Sequence, residues 1–152
     1  MPRFSALTTA IVMQLHPILD LPELSIGYDA TNQWLYVDWK GEHDQDTSQA
    51  CCMQMLESLW AWPCHKILND NSSVSRTTMQ LSEWGAWWIG EMRTAGLQHI
   101  AWVLPRSISD RQRVEAVVSA IEKPHIATFD DVASAYVWLQ QQPVTQPSPL
   151  GK

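Results

Sequence analysis

Apolar and polar positions alternate along this chain first with the period of a strand and then with that of a helix, and the switches between the two mark the elements. Residues 24–28 alternate as a strand, residues 29–32 supply turn chemistry, and residues 33–39 alternate again, which predicts a β-hairpin. In its second strand Trp34, Tyr36 and Asp38 fall on one face and Leu35, Val37 and Trp39 on the other, with Gly41 ending the run. Capping residues at 44–47 open a helix to about residue 60, whose apolar stripe is Cys52, Met55, Leu56, Leu59 and Trp60. Pro63 stops it, and residues 66–69 read as a short buried strand.

A polar loop is then expected over residues 70–80, followed by a helix over 81–93 capped by Ser82 or Thr78. Leu81, Gly85, Trp88, Ile89 and Met92 share the core arc of that helix, with Trp84 at its edge and Trp87 outside it. Gly96 suits the left-handed residue that ends a helix. Residues 99–104 make another buried strand. Ser109 or Asp110 then caps a third helix with Val114, Val117, Val118 and Ile121 inward. Residues 126–129 form the last strand, and Asp130 caps a final helix to 141 with Val132, Ala135, Tyr136 and Leu139 inward.

This order predicts an α/β fold: a mixed sheet of about five strands, an antiparallel opening hairpin followed by right-handed α/β crossovers, and about four helices. Residues 13–141 form one domain, residues 1–12 a poorly ordered extension, and residues 142–152 a flexible Pro-rich tail. The N-terminal apolar run carries one positive charge, lacks a small-residue cleavage site and is too short for a bilayer. The reading is a cytoplasmic chain that does not span a membrane, with Met13 as an alternative start.

Composition narrows the function. Among 152 residues, 45% are hydrophobic and 17% charged, which is globular. A net charge of -6 with only 10 Lys and Arg, none of them clustered, excludes a nucleic-acid interface. Cys51, Cys52 and Cys64 are an odd set that fits reduced thiols, and with His43 and His65 they lack the paired spacing of a structural zinc site. No G-x-S-x-G elbow, P-loop or Gly-rich dinucleotide turn occurs. Asp38, Asp70 and Glu91 are the carboxylates that an acid/base pair would draw on, but they read as turn residues and solvated faces. No catalytic residue, metal or cofactor is assigned. Nine tryptophans are the compositional signal, with Trp84, Trp87 and Trp88 on one helix and Trp60 and Trp62 ending another.

The phrases YDATNQWLYVDWKG at 28–41, HKILNDN at 65–71, AGLQHIAWV at 95–103, and FDD with AYVWL in 129–139 resemble the SpoIIAA-like group of STAS-type domains over about residues 24–141. The resemblance implies a non-enzymatic regulatory or protein-interaction domain. It also implies phospho-acceptor serines near the start of the helix after the third strand, here Ser72, Ser73 and Ser75. A phosphate there would add a charge of about -1.5 to -2. Asp70, Asn71, Trp84, Trp87 and Trp88 are the candidate contact surface, for an unidentified protein partner or for a second copy of the chain through Trp87. The alternative is a carrier holding a small apolar or lipid-like ligand in a Trp-lined pocket.

Overall fold

A computed structural model describes residues 13–146. Its sheet has six strands in chain order: β1 (Leu15–Asp20), β2 (Leu24–Asp29), β3 (Trp34–His43), β4 (Lys66–Thr77), β5 (His99–Val103) and β6 (His125–Phe129). The four helices are α1 (Gln45–Ala61), α2 (Glu83–Thr94), α3 (Ile108–Ser119) and α4 (Val132–Gln141). β1 and β2 pair antiparallel, as do β2 and β3, and every later pair is parallel. The mixed α/β sheet is therefore the expected one, with one strand more.

That extra strand, β1, lies in a segment whose pattern is interrupted by Pro17. Its register against β2 shifts between Pro17 and Leu19, and a bulge of this kind hides a strand from any reading based on strict alternation. The assignments made for residues 1–12 and 147–152 lie outside the described residues. Of the tail, Pro143 and Thr145 reach the start of β5. There Gln98 and Thr145 exchange two hydrogen bonds of 2.8 Å, and the His99 ring donates from Nε2 to the Pro143 carbonyl.

Local chemistry sets the helix starts. Asp44 and Thr47 form a reciprocal capping box at α1, while Ser82, Ser107 and Asp131 cap α2, α3 and α4. The caps of α3 and α4 thus sit within two residues of those expected. Gly96, at φ +114°, closes α2 in a Schellman motif in which the Leu97 amide reaches the Met92 carbonyl at 3.1 Å. Gly41 does not end β3. It takes φ +79° at an irregularity, and the strand runs on to His43.

The sheet separates two cores. On one face, Leu24, Ile26, Leu35, Val37, Trp39 and Ile67 pack with residues of α1, α2 and α3. On the other, α4 places Ala135 and Leu139 against Trp34, Leu68, Ala101 and Val103. The alternation within β3 assigns these faces as the sequence does. In α1 Met55, Leu56 and Leu59 are buried as expected, but at the ends of the stripe Cys51 is buried where Cys52 is only partly so, and Trp60 is 56% exposed.

β4 is the largest departure. Residues 70–77 are not a loop. From Asn71 on they continue β4 beyond the end of β5, and they pair with β3 as far as His43 opposite Thr77. Asp-Asn-Ser-Ser has turn chemistry and uses it at an irregularity between Asp70 and Ser73, where the Ser72 amide donates to Asp70 Oδ1. Pairing resumes at Ser73, and Asn71, Val74 and Thr77 are buried, so tertiary context overrides propensity. Asp110, at the start of α3, ties the far end of this ribbon down by accepting from the Thr77 amide at 3.2 Å.

Candidate functional site

The segment between β4 and α2, residues 78–82, arches over a cleft between the sheet and the helices α1, α2 and α3. α2 leans on α1 rather than on α3, and the unfilled space is a cavity of about 710 Å³. Its sheet side carries Trp39, Asn69 and Trp102, from three adjacent strands. Trp84, Gly85, Trp88 and Ile89 come from α2, Ser48 and Cys52 from α1, and Arg113 and Val117 from α3. The volume falls within the usual range for small-molecule sites, about 300–1,000 Å³.

Hydrogen bonds hold two of the four cleft tryptophans in place. The Trp39 indole donates to Asn69 Oδ1 at 2.8 Å, and Asn69 Nδ2 reaches Asn71 Oδ1 at 3.4 Å. The Trp88 indole donates to the Cys52 carbonyl at 2.7 Å, which locks α2 onto α1. Trp102 is 4% exposed, and its indole N–H is buried without an acceptor. Trp84 and Trp87 lie with ring centroids 5.8 Å apart. Trp84 lines the cleft, whereas Trp87 does not and is 47% exposed.

The expected tryptophan group divides accordingly. Trp84 and Trp88 belong to the cleft, and Trp88 is also core. Trp60 and Trp62 stand apart from it, with Trp62 stacked near His16 and Tyr28 at ring-centroid distances of 4.7 and 5.1 Å. In the sequence, Trp39, Asn69 and Trp102 carry only the signal of strand residues. Alternation says that such residues are buried, but not that a neighbouring helix stops short of them.

The serines lie elsewhere than the sequence places them. Ser72, Ser73 and Ser75 are in β4, well before the Ser82 cap of α2, so a phosphate on any of them would not sit at that helix N-terminus. Ser73 and Ser75 are exposed, and the Ser72 amide donates to Asp70 Oδ1 at 2.9 Å. Asp70 and Asn71 are buried, not surface residues. Asp70 is paired in register with Asp38 and accepts a hydrogen bond from the Tyr36 hydroxyl. Burial first, and then the charge of Asp70, holds the Asp38 carboxyl above the usual range, and burial also raises the Tyr36 phenol. These two carboxylates thus meet across the sheet, while Glu91 is on α2.

Burial pushes all three thiols up, Cys51 and Cys64 to about 11, so they stay protonated near neutral pH and are poor nucleophiles. Among the described residues no group of three or more His, Cys, Asp or Glu side chains is placed to hold a metal ion. No described helix is long and apolar enough to cross a membrane.

No family model matches this chain, and no curated protein does. Among solved structures, the chain is similar to an uncharacterised protein of the DUF3478 family with a SpoIIAA-like fold from Shewanella loihica PV-4. The two share 17% identity and superpose with a TM-score of 0.51 over 80% of this chain and 98% of the other. The fold is therefore SpoIIAA-like.

Proposed function

We propose that this protein is a non-enzymatic binding domain that receives a small apolar or lipid-like molecule in the cleft beneath residues 78–82. The observation that carries the reading is the cavity of about 710 Å³ walled by Trp39, Trp84, Trp88 and Trp102. A concave site of this volume, lined by aromatic and apolar side chains with a few polar groups, has the usual form of a small-molecule site. The protonated thiols and the separation of Glu91 from the paired Asp38 and Asp70 fit binding better than catalysis.

Native mass spectrometry of the purified protein, without added ligand, tests this together with a titration by dodecanol followed through tryptophan emission. A co-purified mass of lipid size, or saturable quenching that weakens when Trp84 becomes Ala, supports the carrier. An apo mass together with no response to dodecanol or to its charged dodecyl counterparts refutes it.

A regulatory or protein-interaction role is the second reading, and Trp87 favours it. This large ring is half exposed on α2, beside the cleft but outside it, as an interface anchor would be. Ser73 and Ser75 on the projecting ribbon are the accessible candidates for a phosphate switch. A concentration-dependent dimer that disappears in Trp87→Ala would support the second copy as partner. A monomer at every concentration would leave this surface to a different protein and rule out self-association.

A further inference from the structure

The cleft described above is apolar at its floor but not neutral at its walls. Arg93 from the last turn of α2, Arg113 from α3, and Lys123 beyond the end of α3 all line it, against Glu122 as the acidic residue of the lining. The whole chain carries a net charge of -6 and only 10 Lys and Arg, so three cations on one cavity is a local reversal of sign. Two basic residues elsewhere find carboxylates: Lys40 lies 3.8 Å from Asp20, and Arg111 lies 2.6 Å from Asp130. Those two are the ion pairs among the described residues, and neither involves Arg93, Arg113 or Lys123. The α1 side offers neutral polar groups, Gln45, Ser48 and Gln49.

We infer that the ligand is a single-chain amphiphile with an anionic head, its hydrocarbon among the tryptophans and its carboxylate or phosphate facing Arg93, Arg113 and Lys123. Two features of the cleft require both parts of such a molecule. An apolar molecule without charge would make no use of the three exposed cations at the rim, Arg93, Arg113 and Lys123. A small inorganic anion would leave the half-buried Trp84 ring and the exposed Leu81 side chain of the lining wet. A cationic amphiphile would gain from the indole faces but would meet the basic walls.

This inference rests on the carrier reading, and matched dodecyl compounds separate the two. Dodecanol, dodecanoate and dodecyltrimethylammonium are titrated below their aggregation concentrations in slightly alkaline buffer, with tryptophan emission as the readout. Dodecanoate is expected to bind about tenfold more tightly than dodecanol, since three partly exposed ion pairs each contribute modestly. Arg93→Gln combined with Arg113→Gln and Lys123→Gln should bring the two within about threefold, as should high salt, which screens exposed pairs. Far-UV circular dichroism and the thermal midpoint establish that this variant is folded, and Arg113→Gln alone is the milder control. Dodecyl phosphate in place of dodecanoate distinguishes a phosphate head from a carboxylate, and tighter binding of either anion supports the inference. Equal affinity for alcohol and anions would overturn the anionic head while leaving the carrier in place. Preference for the ammonium would overturn it as well. Binding of none of them by the folded protein would remove the carrier and this inference together.

Discussion

Asp110→Ala should destabilise the fold by about 2–4 kcal/mol, more than a typical substitution at the first turn of a helix. Asp110 is buried and serves two elements at once. One carboxylate oxygen accepts from the Thr77 amide at 3.2 Å, which fixes the end of β4, and the other accepts from the Ser107 hydroxyl at 2.8 Å, which fixes the start of α3. Hydrogen bonds to a charged acceptor are worth about 1.5–3 kcal/mol each, and Ala would leave the buried Thr77 amide without a partner. An acid at a helix N-terminus adds about 0.3–1 kcal/mol, and partial access of water lowers the total. Asp110→Asn keeps an acceptor for Thr77 but loses the charge, so about half the effect should remain. Urea unfolding followed by far-UV circular dichroism measures both variants, and the slope m should not change. Ser107→Ala should be strongly non-additive with Asp110→Ala, because each removes the other's partner. A loss below about 0.5 kcal/mol in Asp110→Ala, the range of ordinary surface changes, would refute the clamp.

Leu139→Ala should cost about 2–5 kcal/mol in the same urea assay, because this side chain is fully buried where α4 closes the second core. Gly90→Ala should raise stability by about 0.5–1 kcal/mol, since a Cβ there meets nothing within 4 Å and Ala is the better helix former. A midpoint lower than wild type would contradict that placement. Asp38→Asn bears on pH. Burial raises the folded pKa of Asp38, so ionisation is disfavoured in the folded state and this residue costs stability above its raised pKa. The cost fades as pH falls through that range and is absent below the ordinary value of 3.8. Asn should therefore stabilise at neutral pH and have little effect in acid. A gain that grows as pH falls would show that the sign is wrong.

What the sequence revealed about the fold follows from which forces are local. β2 and β3 alternate strictly and are joined by an Asp29 turn, in which the Asn32 amide donates to Asp29 Oδ1 at 3.0 Å, so pattern and turn chemistry agree. The amphipathic helices α3 and α4 were legible for the same reason. β1 and the far half of β4 were not, because each owes its strand conformation to a partner, β2 for the one and β3 for the other. Of the site, Trp84 and Trp88 stood out as an aromatic cluster on one helix. The cleft itself depends on the distance between α2 and α3 and on rings from β3 and β5. No local window contains that information.

Strand order equal to chain order leaves β1 and β6 as the two margins of the sheet, where a foreign strand could add. Both margins discourage it. Pro17 has no amide to offer, and the bulge beside it bends the edge out of register. β6 is only five residues long, too short a template for extended edge-to-edge growth. A chain so rich in tryptophan, with β-paired segments on both margins, is thereby protected from polymerising through its own backbone, and loss of Pro17 would expose it to that hazard.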